Sequence, residues 1–304
     1  MMLRATFLCL TLLGFLGTAN AQTAPSSETS TPFRFSTNVD WVILNTSVRD
    51  RKGWFVPDLS QADFTVSEDG LLQTIRLFRH EDIPVVVGLV VDHSGSMSPK
   101  LAEVTAAART FVAASRSDDE MFVVNFNDYV TLEKSERPDQ LARSILSRPT
   151  LGKTKLYDAV IQSLAQVKLG TLQKKVLIVI SDGGDNASKN TLAAVLTAVE
   201  ESNVLVYTIG VFDEDDPDKN KDVLRRLAHV SGAEAFFPQQ LSDIVSICDH
   251  IARDIRNQYI LGYVSTNTAK SDVYRSVRIS VRAEGKGRLA ARTRAGYIAG
   301  DNSK

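Results

Sequence analysis

Asp92-His93-Ser94-Gly95-Ser96-Met97 closes an apolar, β-branched run over residues 85–91 and is followed by Ser98-Pro99, which open an amphipathic helix. A continuous apolar run bounded by a polar loop reads as a strand covered on both faces. That strand ends in a loop carrying one carboxylate and two hydroxyls at alternate positions. All three are hard oxygen donors, and hard oxygens suit Mg²⁺ or Mn²⁺, which take octahedral shells at roughly 2.0–2.1 Å. Three groups from one loop cannot fill such a shell, so the rest of the chain has to supply more.

Two later stretches have the right character. Gly152-Lys153-Thr154-Lys155-Leu156-Tyr157-Asp158-Ala159 is a glycine loop whose threonine enters a helix. Val176-Leu177-Ile178-Val179-Ile180-Ser181-Asp182-Gly183-Gly184 is a second apolar strand with an aspartate at its carboxyl end. Taken in order, Asp-x-Ser-x-Ser, a Thr and a strand-end Asp-Gly resemble the von Willebrand factor A (VWA) domain and its metal-ion-dependent adhesion site. The family pattern matches at Asp92, Ser94, Ser96, Thr154 and Asp182, and no ligand position departs from it. The resemblance implies Mg²⁺ at these five residues, with Mn²⁺ or Ca²⁺ as alternatives. It also implies a partner. In such sites few carboxylates bind the cation directly, so it stays electrophilic and an Asp or Glu of another protein completes its shell.

At 304 residues the chain has room for two domains, or one with an elaboration. Its 43% hydrophobic and 23% charged content is that of an ordinary globular protein. A net charge of −1 argues against a general nucleic-acid or membrane-surface binder, which needs a basic excess. Arg4, an apolar segment over residues 7–15 and Ala19-Asn20-Ala21 before Gln22 read as a signal peptide over residues 1–21. The apolar segment is short for a membrane span, and no other stretch is apolar enough to be one. The mature protein is therefore expected to be secreted or periplasmic. Cys9 leaves with the signal peptide. Cys248 then has no intrachain partner, and its place on the helical stripe Leu241, Ile244, Cys248, Ile251, Ile255 predicts a buried, inert thiol.

Residues 22–37, rich in Ser, Thr and Pro, read as a flexible leader. Residues 38–82 are β-rich: 41–48 alternate, and Phe64-Thr65-Val66-Ser67 and the run 73–78 flank the hairpin signal Glu68-Asp69-Gly70. Over residues 83–256 strands at 85–91, 121–126, 176–180, 204–209 and 235–237 alternate with helical stripes. The fold class is α/β, a doubly wound, mostly parallel, Rossmann-like VWA sheet. Ligands of such sheets bind beyond the carboxyl ends of the strands, where both aspartates lie. Residues 257–300 turn β again, with strands at 259–263 and 277–281 and one more within 289–298. Neither flank alone has enough strands for a stable sheet. Pooled, they are expected to form a small β-sandwich-like domain into which the VWA domain is inserted, a nesting similar to that of integrin β subunits. The flanking motifs Val48-Arg49-Asp50-Arg51-Lys52-Gly53, Asp63 to Gly70 and Arg294-Ala295-Gly296-Tyr297 resemble exported bacterial VWA-related proteins abundant in acidobacteria.

Four features compete with this reading. Gly152-Lys153-Thr154 could end a phosphate-binding loop, but G-x-x-x-x-G-K-T needs a glycine where Ser147 stands. His93 lies inside the metal loop; the resemblance implies that Asp92 and Ser94 point toward the metal, so the residue between them is expected to face elsewhere as an exposed loop histidine. Asp158 either orients the Thr154 loop or, like Asp185, caps the helix start and loop. Asp213-Glu214-Asp215-Asp216-Pro217-Asp218 reads as a solvated loop, since it lacks the glycine and glutamate of an EF-hand, with a second cation as the alternative. The serines and threonine are committed as ligands, and neither a paired histidine nor a cysteine stands beside them, so a binding module is expected rather than an enzyme. Two alternatives stand beside it: an envelope-assembly protein whose metal only stiffens loops, and a metal-dependent hydrolase using His93.

Overall fold

The computed structural model describes residues 41–80, 82–135, 137–212, 219–267 and 273–299. The signal peptide and leader assigned to residues 1–37 and the acidic run 213–218 lie outside the described residues. Four strands come first: β1 (Trp41–Arg49), β2 (Phe64–Glu68), β3 (Leu71–Gln73) and β4 (Leu77–Arg79). The α/β portion follows with β5 (Val85–Asp92), α1 (Leu101–Ala113), β6 (Glu120–Phe126), β7 (Val130–Lys134), α2 (Pro138–Leu146) and α3 (Leu156–Lys168). It continues with β8 (Lys174–Ser181), α4 (Leu192–Glu200), β9 (Leu205–Gly210), α5 (Lys221–Ser231), β10 (Ala235–Phe236) and α6 (Asp243–Arg256). Strands β11 (Tyr259–Val264), β12 (Tyr274–Val281), β13 (Ala290–Arg292) and β14 (Gly296–Ile298) complete it.

The central sheet has the order β10-β9-β8-β5-β6-β7, parallel throughout except for β7. Strand β5 is buried at all eight positions because it feeds two cores. Val85, Val87, Leu89 and Val91 pack with Val104 and Phe111 of α1, Ile145 of α2 and Ile251 of α6. Val86 and Val90 pack with Leu164 of α3, Val195 of α4 and Leu224 of α5. Side chains of successive residues point to opposite faces of a strand, so a strand between two helical layers has to be apolar without alternation. That is why residues 85–91 read as they do.

The flanks pool their strands. One sheet has the order β13-β1-β11-β4 and the other β14-β12-β2-β3, so each contains strands from both ends of the chain. Their shared core includes Val42, Leu44, Phe64, Val66, Tyr259, Leu261, Tyr263 and Val277. Asp69 (φ 47°) and Gly70 (φ 83°) form the β2–β3 turn with two positive φ angles, the conformation a two-residue hairpin requires. Two expectations need correction. Residues 73–78 are not one strand: β3 stays with β2, and the chain then crosses to the other sheet, where β4 pairs with β11. The single strand expected within 289–298 is two short ones in opposite sheets. Strand β7 and helix α2 have no counterpart in the sequence reading.

A polar cluster joins the sandwich to the α/β portion. Asp254 of α6, fully buried, accepts hydrogen bonds from Ser47 Oγ of β1 (2.5 Å), Tyr207 Oη of β9 (2.6 Å) and Arg292 Nη2 of β13 (2.5 Å). Arg49 of β1 adds an ion pair to Glu234 at 3.0 Å and lies 2.7 Å from His250 Nε2.

Candidate metal centre

Strands β5 and β8 are neighbours in register Val91↔Ile180, which brings Asp92 beside Ser181 and carries Asp182 to the same sheet end. Asp92 is fully buried, and its Oδ1 accepts from Ser94 N (2.8 Å) while its Oδ2 accepts from Ser181 Oγ (2.6 Å). Asp182, 2% exposed, accepts from Gly184 N through Oδ1 (3.0 Å) and from Ser96 Oγ through Oδ2 (2.5 Å). Ser94 Oγ and Ser96 Oγ are 3.2 Å apart. Four of the five residues thus form one hydrogen-bonded set. Thr154 is brought to it by backbone bonds. Leu151 N donates to His93 O (3.0 Å) and Gly95 N to Gly152 O (3.4 Å), fastening the threonine loop to the serine loop. On the other side Thr154 N donates to Asn186 Oδ1 (2.9 Å), and Asn186 N and Ala187 N both donate to Thr154 O at 3.1 Å.

Burial, and next the charge of Asp182, push the Asp92 carboxyl up to about 7 against the hydrogen bonds from Ser181 and Ser94. Two buried carboxylates held this way favour either a proton or a cation between them. Two carboxylates and three hydroxyls are all hard oxygens, so the residues fit a small divalent cation. Among the described residues no group of three or more His, Cys, Asp or Glu is placed to hold a metal, so such a cation would draw on the hydroxyls.

The sequence profile of the von Willebrand factor type A domain matches residues 87–249, more than half of the chain. The chain belongs to the VWA family. No curated protein matches it. Among solved structures, the vWF domain of the type V pili tip protein Mfa5 from Porphyromonas gingivalis is 13% identical, with a TM-score of 0.50, covering 57% of this chain and 95% of that one. A von Willebrand factor type A protein from Catenulispora acidiphila is 10% identical, with a TM-score of 0.49, covering 87% of this chain and 75% of that one. An aerotolerance-related membrane protein from Bacteroides fragilis is 15% identical, with a TM-score of 0.46, covering 56% of this chain and 98% of that one. At these identities the likeness is one of fold.

Within this VWA fold His93 departs from expectation. It faces away from the oxygen cluster, but it is 1% exposed rather than solvent-exposed, with Nε2 3.0 Å from Asn125 Oδ1 of β6. Burial lowers its pKa, so the ring stays neutral and packs as a core residue. Asp185 accepts from Tyr157 N in the first turn of α3 (2.9 Å) and from Ser188 Oγ (2.6 Å). Asp158 accepts from Lys189 N (3.1 Å) and Asn190 N (3.0 Å). Both act as caps that bind α3 to the loop after Asp182, the blander of the two expected roles. Cys248 is buried, and burial pushes its thiol up to about 12, as an inert core cysteine requires.

Ser181, Asn186 and Asp128 support the site and were not read from the sequence. Ser181 had a signal, since it precedes a strand-end aspartate. Asn186 and Asp128 had none, because their roles depend on loops folding against one another. Gly183 is held at φ 80°, and a Cβ there would lie 2.2 Å from Asn220 O. Asn220 N in turn donates to Asp182 O at 2.9 Å. Gly183→Ala is therefore expected to shift Asp182 and weaken Mg²⁺ binding about 10–100-fold, the range for disturbed metal-site support. Titration calorimetry on the variant checks this, with unchanged affinity as the contrary result.

Proposed function

We propose that this VWA chain is an exported protein-binding module, for adhesion or assembly, that captures an acidic side chain of a partner through a divalent cation. Asp92, Ser94, Ser96, Thr154 and Asp182 would hold Mg²⁺, or Mn²⁺ or Ca²⁺ in its place, as an intact metal-ion-dependent adhesion site. The bound ion supplies Lewis acidity toward a carboxylate. The observation that carries the reading is the split in exposure across the set. Both aspartates, Ser94 and Thr154 are buried, whereas Ser96 is part-exposed beside exposed Gly95, Gly152 and Lys153. A partner carboxylate would therefore reach the site from the side of Ser96 and the Gly152-Lys153 loop. His93, the only histidine in the loop, is turned onto Asn125, which argues against a general base and so against a hydrolase. Export rests on residues 1–21. Among the described residues no helix is long and apolar enough to cross a membrane. The flanking motifs support placement among the exported bacterial members of the family.

The test uses envelope-extract proteins retained by the immobilised chain. Retention is expected to vanish in EDTA and to weaken about tenfold or more in Thr154→Ala, in line with losses at metal sites. Thr154 is 6% exposed, and Thr154→Ala removes its methyl as well as its hydroxyl. Thr154→Val, which keeps the buried bulk without the hydroxyl, is therefore measured beside it, together with the thermal melting of both. Acidic-to-amide substitution on the partner should weaken binding without adding to the Thr154→Ala loss, since both break one contact. Retention that survives both EDTA and Thr154→Ala assigns the metal a purely stabilising role.

A further inference from the structure

We infer that the partner's acidic residue is flanked by an aromatic or large aliphatic side chain, which Tyr129 and Leu151 receive at the rim of the metal centre. The inference rests on the function proposed above and specifies the chemistry of its partner as an apolar-acidic segment of another protein. Tyr129 is 75% exposed and Leu151 52%, although both are large and apolar in body. Single exposed apolar residues are ordinary. These two are fastened to the loops of the candidate site. Leu151 N donates to His93 O, between Asp92 and Ser94. Tyr129 sits in the β6–β7 turn, where the adjacent Asp128 accepts from Lys153 N at 3.2 Å and lies against Gly152, the residue whose O accepts from Gly95 N.

The turn that presents Tyr129 is closed on itself. Asn127 N donates to Tyr129 O, and Asn127 Oδ1 accepts from Tyr129 N, both at 3.0 Å. The backbone is thus set in place while the ring stands in solvent. A fixed aromatic contact costs little further entropy on binding. Tyrosine is also among the side chains in which interface energy concentrates.

Charge around the rim selects the same kind of segment. Lys153 and Lys189 are exposed. The nearby carboxylates are turned onto backbone N–H groups instead: Asp128 onto Lys153 N, Asp158 onto Lys189 and Asn190 N, and Asp185 onto Tyr157 N. An approaching segment meets the exposed ammonium groups and apolar surface. Asp128, Asp158 and Asp185, held by backbone N–H groups, keep their charge and disfavour a run of several acidic residues. That combination complements an acidic residue with an apolar neighbour better than a uniformly acidic tail.

The probe is a random-peptide phage library, selected on the immobilised full chain in Mg²⁺ and eluted with EDTA. Enriched peptides are expected to carry Asp or Glu next to Phe, Tyr, Trp or Leu. The double variant Tyr129→Ser/Leu151→Ser should bind an enriched peptide about tenfold or more weakly, with Mg²⁺ titration and thermal melting unchanged. Tyr129→Gln and Leu151→Gln measured singly repeat the comparison with milder changes. Acidic peptides with no apolar bias, or undiminished peptide binding by these variants, would overturn the inference and leave the proposed function standing. Selection that is absent or indifferent to EDTA overturns the proposed function, and this inference with it.

Discussion

Asp92→Ala and Asp182→Ala are each expected to abolish detectable Mg²⁺ and Mn²⁺ binding in titration calorimetry, while His93→Ala retains it. Each aspartate supplies half of the negative charge of the candidate donor set. Asp92 also holds Ser94 N and Ser181 Oγ, and Asp182 holds Ser96 Oγ and Gly184 N, so either loss loosens the neighbouring donors as well. Loss of binding by general unfolding is separable from loss at the site. Burial and repulsion between the two carboxylates raise Asp92, so the isosteric Asp92→Asn removes an unfavourable charge when no cation is present. In EDTA that variant should melt no lower than the parent, yet fail to bind Mg²⁺. His93→Ala should cost about 1–3 kcal/mol of stability, because it strips the partner from buried Asn125. Its effect on the cation should be small, since the ring faces away. Loss of Mg²⁺ binding in His93→Ala alone, with both aspartate variants still binding, would refute the ligand assignment.

The largest effect on folding is expected from Asp254→Ala, at about 3–5 kcal/mol, the cost of breaking a buried ionic cluster by removing one partner. Asp254 is fully buried and takes hydrogen bonds from three strands in two sheets: Ser47, Tyr207 and Arg292. Its loss leaves buried hydroxyls unpaired and leaves Arg49 and Arg292 to share Glu234. Urea denaturation followed by tryptophan fluorescence and circular dichroism measures the shift. A change under about 1 kcal/mol would place this cluster among ion pairs of little net worth. The same variant should leave Mg²⁺ binding intact wherever it is folded, because Asp254 lies on α6 and contributes nothing to the oxygen cluster.

Much of this protein was legible in its sequence, because the decisive information is local. A strand between two helical layers has to be apolar at successive positions, so residues 85–91 and 176–180 declared a doubly wound sheet. The candidate donors Asp92, Ser94, Ser96 and Asp182 sit at or just after the ends of those strands, so the sequence alone shows where hard oxygens collect. Asp69-Gly70 announced its turn, since positive φ at two successive residues restricts the choice of side chain. Cys248 announced its burial by its place on an apolar helical stripe.

Tertiary structure decided what depends on residues distant in the chain. That Ser181 meets Asp92 follows from the register of β5 against β8, a pairing across 89 positions. The burial of His93 was not legible, because the family pattern gives the direction of a side chain and not what covers it. Here β6 covers it, through Asn125. The run 73–78 was split because β11, almost two hundred residues later, offers β4 a pairing that β2 does not. Asp254 gave no local sign of its role, since a carboxylate on a helix becomes a joint only when β1, β9 and β13 bring hydroxyls and a guanidinium to it. Local sequence sets backbone preference and the chemistry each strand end carries. Burial, register and the pairing of charges arise only when separate segments share one interior, and they were decided there.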